Sequence, residues 1–454
     1  MIGNLKEIKE WLGIPASLGD EGIMITAVST DTRTIGPGSL FVALKGENFD
    51  GDDYVGSALE KGAVAAITHR PGKGDSRLIQ VPDTLQAYGA LARGYRLAKG
   101  FTVVGITGSS GKTTTKDMVA AVLSTAYRVV KTEKNNNNQV GLPLTILSAP
   151  EDAEILVLEM GMRALGEIAY LAEIALPDIA IITNIGVAHI GELGSQEKIL
   201  QAKGELLEAL AHTGTGIVSG EDGFAGRLQE KTEAPIVICG FGADAGVRGE
   251  ILEEKEGSTR LRIHRQQEAY EVMFPYIGRH LVLDSLMALE AGAVLGISVV
   301  AGAGALAQRK TEPGRLHMIP KRRFTIIDDT YNANPQSMKA SIDVLCSFPG
   351  RRVAILGDMR ELGPEEADYH REAGRYALEK GVDFLVAIGT LGAEIAQGFL
   401  DAGGSRDAVL TDPDEKLAGR DLYDIIKNGD SILVKASRAM ALERIVQDLE
   451  GMDE

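Results

Sequence analysis

The chain has 454 residues, 44% of them apolar, which is too long for one hydrophobic core and predicts a globular protein of about three domains. Its net charge of −17 argues against a broad nucleic-acid surface. Two isolated cysteines, Cys239 and Cys346, argue against a disulfide framework or a zinc site and fit a reducing compartment. With no bilayer-length apolar run and no secretory signal, we expect a cytoplasmic protein without membrane insertion.

The first 82 residues predict a small α/β domain. Short β-like runs at Gly22–Val28, Ser39–Leu44 and Ala63–Thr68 surround one helical stretch, Tyr54–Lys61. On pattern alone, the polar residues between these runs are turn formers and caps rather than ligands.

The most informative stretch is Phe101–Thr115, where an apolar run leads into glycines, a lysine and hydroxyls. The strict phosphate-loop pattern requires glycine at the position of Ile106, so the match is to a variant. The chemistry is that of a phosphate loop, because glycines let backbone N–H groups close on phosphate oxygens, Lys112 supplies a positive charge and Thr113 can bind Mg²⁺. A helix from about Thr114 to Ser124 is expected to add its positive end. The predicted ATP contacts here are Gly108, Ser109, Ser110, Gly111, Lys112, Thr113 and Thr114.

Apolar strands alternate with amphipathic helices over the following residues, which indicates a parallel sheet and a β-rich continuation over 213–278. One strand ends at Glu159, and another, Ile179–Thr183, is followed by His189. Because ligands collect at the carboxyl ends of such strands, we expect Glu159 to hold Mg²⁺ directly or through water. His189 is a candidate for a metal or phosphate contact, although a lone loop histidine is more often structural.

Two further positions stand out in this part of the chain. A helix predicted over Ser195–Leu210 carries Lys203 between an alanine and a glycine. Helical lysines are normally solvated, so Lys203 gains interest only if its small neighbours mark a crowded site where the amine is desolvated and modified. The segment Glu312–Arg315 predicts a hinge, and Arg315 is a candidate phosphate clamp.

From about residue 318 the pattern predicts a second doubly wound sheet. Strands are expected at Phe324–Asp328, Val353–Gly357, Phe384–Gly389 and Ile432–Lys435. The glycine fingerprint GxGxxG is missing, so a dinucleotide is not implied. A domain with polar strand ends and no cofactor loop is expected to close over a nucleotide bound by its neighbour.

Taken together, these motifs resemble the Mur ligases. The chain contains, in the order found in that family, TGSSGKTTTK, LEMGM, TNIGVAHIGELGS, QAKGE, PGR, DDTYNANPQSM and ILGDMRELG. The run Asp328–Pro335 and the run Gly357–Gly363 are most similar to the members that add D-Ala-D-Ala to UDP-MurNAc-tripeptide. The resemblance covers essentially the whole chain and implies three α/β domains: 1–82 for the UDP-sugar, 83–317 for ATP, and a Rossmann-like 318–454 for the incoming amine. Separately, we expect a monomer.

The resemblance also implies the reaction. The tripeptide carboxylate attacks the γ-phosphate of ATP to give an acyl phosphate and ADP, and the amine of D-Ala-D-Ala then expels phosphate. Lys203 matches the lysine that the family carbamylates, a change that turns a cation into an anionic Mg²⁺ ligand. The implied catalytic residues are Lys112, His189, Lys203 and Arg315, and the implied metal ligands are Thr113, Glu159, His189 and Lys203.

Substrate contacts are carried over in the same way. The resemblance implies that the uridine side is contacted by Ser29, Asp31, Arg33 and Lys45, and the sugar by Asn137 and Asn138. It implies that four residues join the ATP site when the third domain closes, namely Asp329, Tyr331, Asn332 and Asp358. Further substrate contacts are implied for Lys435, Ser437 and Arg438. The chain departs from the family at Asp50–Asp52, where a histidine is common, and at Asp284, where an asparagine usually meets adenine. Because an aspartate donates a hydrogen bond only when protonated, Asp284 predicts looser base selectivity.

Two alternatives remain open. A nucleotide-dependent switch would need only the phosphate loop, so Glu159, His189, Lys203 and the third domain argue against it. Another amide ligase of the same family, adding glutamate or a diamino acid, is disfavoured by Tyr331–Pro335. The third residue of the acceptor peptide, lysine or diaminopimelate, is left undetermined.

Overall fold

The computed structural model describes residues 1–71, 74–188, 190–255, 257–309 and 312–452. Helices alternate with mainly parallel strands, which confirms the predicted α/β class. No helix in the described part of the chain is long and apolar enough to cross a membrane. Both cysteines are free thiols.

The amino-terminal part is built on a four-stranded parallel sheet in the order β3-β4-β5-β6. The strand expected over 22–28 is two strands in different sheets: Met24–Ile25 pairs with β1, Ala27–Ser29 pairs with β4, and the Thr26 N–H between them bonds to the Gly38 carbonyl. The elements are β1 (Gly3–Asn4), α1 (Leu5–Trp11), β2 (Met24–Ile25), β3 (Ala27–Ser29), β4 (Ser39–Val42), α2 (Val55–Glu60), β5 (Ala63–Thr68), β6 (Leu78–Gln80) and α3 (Thr84–Lys99).

The central part is a nine-stranded sheet in the order β15-β14-β13-β12-β11-β10-β7-β9-β8. Strands β7 to β13 pair in parallel, and β13 to β15 form the predicted β-rich continuation as an antiparallel meander. The elements are β7 (Thr102–Thr107), α4 (Lys112–Leu123), β8 (Val129–Lys131), α5 (Gly141–Leu147), β9 (Ile155–Glu159), α6 (Glu167–Ala175), β10 (Ile179–Ile182), α7 (Ile190–Leu193), α8 (Gln196–Glu208), β11 (Thr215–Ser219), α9 (Ala225–Gln229), β12 (Ile236–Gly240), β13 (Val247–Lys255), β14 (Ser258–Arg265), β15 (Glu268–Phe274), α10 (Arg279–Val294) and α11 (Val299–Ala307).

The carboxy-terminal part is a six-stranded sheet in the order β16-β17-β21-β18-β19-β20, in which only β16 is antiparallel to its neighbour. The predicted second doubly wound sheet is thus confirmed. The elements are β16 (His317–Pro320), β17 (Phe324–Asp329), α12 (Pro335–Cys346), β18 (Arg352–Gly357), α13 (Glu366–Lys380), β19 (Phe384–Ile388), α14 (Gly392–Asp401), β20 (Val409–Asp412), β21 (Asp430–Lys435) and α15 (Glu443–Gly451).

Strand order brings the polar strand ends together. In the central sheet β7 lies between β9 and β10, so the phosphate loop emerges beside Glu159 and Asn184. In the carboxy-terminal sheet β21 lies between β17 and β18, which places Lys435 next to Asp329. The two sheets therefore present the carboxyl ends of their strands to a shared cleft.

Helix α4 begins at Lys112, two residues earlier than expected. The reason is Gly111, which takes the left-handed conformation at φ +77° and lets the loop turn directly into the helix. The first turn of α4 therefore includes Lys112 and Thr113.

Helix α3 joins the amino-terminal and central parts. It packs against α1 on one side and against α5 and α6 on the other. Gly94 lies so close to the Trp11 indole that no side chain would fit there. Apolar residues of both parts, including Leu40 and Leu156, consequently belong to one continuous core.

Candidate active site

A cavity of about 960 Å³ lies between the central and carboxy-terminal parts. Both parts contribute walls, and among the described lining residues none comes from residues 1–82. The sequence-predicted residues that line it are Ser109, Ser110, Gly111, Lys112, Thr113, Thr114, Asn137, Asn138, Glu159, Asp284, Arg315, Asp329, Tyr331, Asn332 and Lys435.

The phosphate loop is held in place by the neighbouring strand end. The Thr183 hydroxyl donates to the Ser110 carbonyl at 2.5 Å, and the Asn184 amide donates to the Ser110 hydroxyl at 2.9 Å. The Gly186 N–H donates to the Ser109 hydroxyl at 2.8 Å. Asn184 lies at a strand end that the sequence places on the crevice of the phosphate loop, but no site role was predicted for it. These bonds preorganise the loop for an anionic ligand.

Lys112 lies against the loop that carries it. Its ammonium group donates to the Gly108 carbonyl at 2.8 Å. Burial lowers the pKa of Lys112, the Glu159 carboxylate opposes that change, and the Arg315 guanidinium adds to it. A phosphate group bound at this point would supply the counter-charge that these two nearby cations share.

Glu159 gathers oxygen and nitrogen groups at the end of β9. The side chain is 3% exposed, and its two oxygens accept hydrogen bonds of 2.8 Å from the Thr113 hydroxyl and the Asn137 amide. Asn138 instead uses its side-chain oxygen locally, where it accepts from the N–H groups of Val140 and Gly141 at the start of α5. Glu159 and Thr113 are hard oxygen donors at the mouth of the phosphate loop, so they fit Mg²⁺.

The charges around the cavity support the same cation. Carboxylates outnumber basic groups among its described walls, so an anionic nucleotide would be repelled unless cations accompanied it. Apart from Asp284, whose pKa is raised to about 8, the acidic residues are Glu159, Glu167, Glu221, Asp222, Glu254, Asp329 and Asp343, and the basic residues are Lys112, Arg163, Arg279, Arg315 and Lys435.

Lys203 is buried on α8, with only 1% of its surface exposed. Within the described ranges its ammonium group has no hydrogen bond or ion pair, which is unusual because a buried charge is normally paired. Burial, assisted by the positive charge of Lys112, holds the pKa of Lys203 well below its ordinary value. A neutral amine at this position is the chemical form that can react with carbon dioxide. His189 lies outside the described residues.

The hinge segment is bonded to the first strand end of the carboxy-terminal sheet. The Gly314 N–H donates to the Asp328 carboxylate at 2.7 Å, and the Leu316 N–H donates to the Asp329 carboxylate at 3.1 Å. Between them the Arg315 guanidinium stacks on the Tyr331 ring, 3.8 Å from its centroid. Arg315 is therefore oriented by a cation–π contact on the cavity wall.

Lys435 forms a buried ion pair beneath that wall. Its ammonium group lies 2.5 Å from an Asp329 oxygen and donates to the Asn332 carbonyl at 2.9 Å. The Ser341 hydroxyl donates to the same Asp329 oxygen. This network fixes the segment after β17, including Tyr331, from two directions.

Two titratable groups of α10 face the cavity. Burial raises the pKa of Asp284 to about 8, so its carboxyl group is neutral at lower pH, and it lies against Gly111 of the phosphate loop. Burial also lowers the pKa of His280 to about 4, with Asp329 and Lys435 acting in opposite directions. His280 was not predicted as a site residue, and only its place at the start of a helix next to the sheet pointed to it.

Three predicted residues of the carboxy-terminal sheet lie elsewhere. Asp358 is buried and accepts from the Leu391 N–H at 2.9 Å, while the Ser437 hydroxyl accepts from the Arg360 N–H. Arg438 pairs with a glutamate of α15. None of the three lines the cavity as described, so their predicted ATP and substrate contacts stay predictions.

The predicted uridine-side residues form local turns. The Ser29 hydroxyl donates to the Asp31 carbonyl, Asp31 pairs with Arg33 at 2.6 Å, and Lys45 forms a backbone bridge with Asp50. This ion pair lowers the pKa of Asp31 to about 2. These contacts leave their predicted role untested.

The departure at Asp52 has a structural counterpart. Its carboxylate lies 2.8 Å from the His69 imidazole and accepts from the Arg70 N–H at 3.0 Å. A histidine is therefore present at this place, but it comes from the end of β5. The sequence pattern around Asp52 could not reveal a partner seventeen residues away.

Three family models match the chain. Residues 24–96 match the Mur ligase family, catalytic domain, residues 106–292 the Mur ligase middle domain, and residues 314–438 the Mur ligase, glutamate ligase domain. The predicted three-domain organisation within the α/β class is thereby confirmed.

Named relatives cover nearly the full length. The UDP-N-acetylmuramoyl-tripeptide–D-alanyl-D-alanine ligase of Bacillus subtilis (strain 168) is 40% identical over 98% of each chain, and that of Escherichia coli (strain K12) is 33% identical over 94% of each chain. Among solved structures, MurF from Acinetobacter baumannii has a TM-score of 0.89 at 31% identity over 99% of each chain. MurF ligase from Thermotoga maritima in complex with ADP has a TM-score of 0.85 at 32% identity, covering 94% of this chain and 97% of that one. The chain belongs to the Mur ligase family, among the UDP-N-acetylmuramoyl-tripeptide–D-alanyl-D-alanine ligases.

Proposed function

We propose that this protein joins UDP-MurNAc-tripeptide to D-Ala-D-Ala in an ATP-dependent ligation that releases ADP and phosphate. The observation that carries the proposal is the two-sided cavity, which is lined by Lys112 and Glu159 of the central domain and by Asp329 and Lys435 of the carboxy-terminal domain. A nucleotide switch needs only the first side. A ligase needs a second side that brings an amine to an activated carboxylate.

The first step activates the carboxylate. An oxygen of the tripeptide carboxylate attacks the γ-phosphorus of ATP, the bond to the ADP oxygen breaks, and an acyl phosphate forms. Both reacting groups are anionic, so the main task of the protein is to position them and to neutralise charge. Lys112, held at the phosphate loop, and Arg315, held on Tyr331, are the cations placed for this task.

The second step forms the amide. The neutral amine of D-Ala-D-Ala attacks the acyl carbonyl carbon, the bond from that carbon to the phosphate oxygen breaks, and the nitrogen loses a proton. The carboxy-terminal domain supplies the second wall of the cavity through Asp329, Tyr331 and Asn332, which Lys435 fixes in place. Closure of this wall would exclude water, which would otherwise hydrolyse the acyl phosphate.

Mg²⁺ is supported by the donor set and by the acidic cavity. Thr113 and Glu159 would hold it near the β- and γ-phosphates, and bound there it would neutralise charge as phosphate is transferred. His189 is a further candidate that lies outside the described residues.

We infer that Lys203 is carbamylated. Its neutral amine would add carbon dioxide and release one proton, which converts a buried unpaired amine into an anion. The carbamate oxygens would then be ligands for the same metal site as Glu159. The support is the burial and the depressed pKa of Lys203, together with the nearby charge of Lys112.

The remaining assignments concern the whole protein. We assign the UDP-sugar to residues 1–82, the nucleotide to 83–317 and the amine to 318–454, with Ser29, Asp31, Arg33 and Lys45 on the uridine side. The matched family segments follow the same order, although the first, 24–96, runs past residue 82 and the last, 314–438, begins before residue 318. We further propose that the enzyme acts in the cytoplasm and that it is a monomer. Sedimentation of the purified protein would test the monomeric state.

The experiment that tests the function is phosphate release from ATP and Mg²⁺ with UDP-MurNAc-tripeptide present. D-Ala-D-Ala, glutamate, diaminopimelate and a sample without amine are compared, and the tripeptide is supplied with lysine or diaminopimelate at its third position. Release that depends on D-Ala-D-Ala, with the pentapeptide product identified by mass, supports the proposal. Release without amine dependence would favour the switch, and dependence on another amine would overturn the substrate.

A further inference from the structure

Two glycines from different domains meet with no side chain between them. Gly191 lies in α7 of the central domain, and Gly363 follows β18 in the carboxy-terminal domain. A Cβ built on Gly191 would lie 2.7 Å from the Gly363 nitrogen and 2.9 Å from its Cα, and one built on Gly363 would lie 2.7 Å from the Gly191 Cα. Because these neighbours are backbone atoms that cannot rotate away, neither position accepts a side chain in this arrangement.

On the central side, the segment that leads to this contact is bonded to the phosphate loop. Asn184 bonds to the Ser110 hydroxyl at 2.9 Å, and the Gly186 N–H donates to the Ser109 hydroxyl at 2.8 Å. These bonds anchor the segment to the phosphate loop, so bulk added at Gly191 should displace the other domain rather than the groups that bind phosphate. Gly191 is itself exposed, so its own domain does not need the position to be empty for packing.

On the carboxy-terminal side, the segment before Gly363 is bonded to the strand end that carries Lys435. The Ser437 N–H donates to the Asp358 carbonyl at 3.0 Å, and the Arg360 N–H donates to the Ser437 hydroxyl at 2.9 Å. Ser437 lies two residues after Lys435. The glycine contact thus connects the residues bonded to the phosphate loop with the residues bonded to the strand end that carries Lys435.

Two other contacts near this point involve flexible side chains. The Asn334 amide reaches the Ser109 carbonyl at 3.5 Å, and Gly186 faces the end of the flexible Gln336 side chain. Flexible side chains adapt to a small change of distance, whereas two backbones in contact do not. The backbone contact between Gly191 and Gly363 therefore limits how closely the two domains can approach in this part of their boundary.

We propose that Gly191 and Gly363 are positioning residues that set the distance between the two walls of the cavity. The inference rests on the proposed ligase function and deepens it. A methyl group at either position would hold the walls apart, and a misplacement of about 1 Å between reacting groups costs on the order of a hundredfold in rate. The loss should appear in kcat rather than in the KM for ATP, because the phosphate loop keeps its own bonds.

The first test uses Gly191→Ala, since Gly191 lacks the positive φ that would add backbone strain. We expect kcat for ligation to fall at least about tenfold, with an ATP KM and a melting temperature close to those of the wild type. Small-angle scattering with a non-hydrolysable ATP analogue and UDP-MurNAc-tripeptide should show a less compact particle than the wild type. The matched control is Gly226→Ala, an exposed glycine of α9 with open space around it, which should behave as wild type.

A second variant approaches the contact from the other domain. Gly363 has φ +71°, and asparagine tolerates that conformation better than most residues, so Gly363→Asn adds a side chain with little backbone strain. Its control is Gly429→Asn, at φ +88° with open space around the position. We expect the same loss of kcat and of compactness as in Gly191→Ala.

The outcomes separate the two proposals. Wild-type kcat in either variant overturns the positioning role, as does a loss of turnover that only follows a loss of folding or of ATP binding. The scattering measurement needs no chemistry, so it tests the contact even if the wild-type protein forms no pentapeptide. A wild-type protein that forms no pentapeptide would overturn the proposed function but not the positioning role of the two glycines.

Discussion

Replacing Lys203 by methionine should separate activity from stability. Methionine has a similar length, carries no charge and needs no hydrogen-bond partner. Lys203 is 1% exposed and burial holds the pKa of its amine well below the ordinary value, so taking this polar group out of water costs roughly 1–3 kcal/mol of stability. We therefore expect Lys203→Met to raise the free energy of unfolding by a similar amount, although the residue is proposed to be catalytic.

The assay compares thermal unfolding of both proteins without bicarbonate or Mg²⁺, so that the wild-type amine remains unmodified. For a domain of 150–250 residues each kcal/mol corresponds to roughly 2–4 °C in the melting temperature. Ligase turnover, measured with Mg²⁺ and bicarbonate, should fall by about 10–100-fold or more, since a ligand of the metal site is lost. Short carboxylates added to a Lys203→Ala variant should restore part of the turnover.

The control is Lys198→Met, an exposed lysine on the same helix, which should change neither quantity. A Lys203→Met variant that melts lower and turns over as the wild type would refute the reasoning. Such a result would mean that the buried amine has a structural partner and no role at the metal site.

The other predictions concern buried charges. Lys435→Met should lower the free energy of unfolding by about 3–5 kcal/mol, because Asp329 would keep a buried charge without its cation; an unchanged denaturant midpoint would contradict this. Burial raises the pKa of Asp284 to about 8, so between about pH 4 and pH 8 the folded protein keeps a proton that the unfolded chain releases. The free energy of unfolding therefore falls as pH rises through this range. Asp284→Asn should make the melting temperature depend less on pH, and parallel slopes for the two proteins would contradict this. The same variant should sharpen the preference for ATP over GTP, and an unchanged preference would contradict that. Burial lowers the pKa of His280, so the free energy of unfolding is highest above about pH 6.5 and falls as pH drops towards 4. His280→Gln should weaken this acid sensitivity. Equal melting curves of the variant and the wild type at low pH would exclude the effect.

Local patterns predicted most of the fold. The alternation of strands and helices predicted both parallel sheets, because strands such as β9, β10, β17 and β18 are short, largely apolar and end in or are followed by polar residues. The phosphate loop was evident because its glycines and Lys112 are adjacent in sequence. The start of α4 was placed two residues late, since the left-handed turn at Gly111 is a property of backbone geometry that composition does not encode.

The site was harder to predict because its residues meet through strand order. Lys435 and Asp329 are 106 residues apart, and they touch only because β21 inserts between β17 and β18. The same is true of His69 and Asp52, which come from different elements. Asp358 ends a strand like the others but turns its carboxylate towards Leu391, and a strand-end pattern does not specify that direction.

The cavity takes its described walls from the last two domains only. The chemistry of bond formation is thus physically separate from the segment that we assign to the UDP-sugar. The continuous core that contains Leu40 and Leu156 nevertheless holds this segment to the domain of the phosphate loop. Substitutions within residues 1–82 that preserve this core can therefore change the segment without altering any described side chain of the cavity.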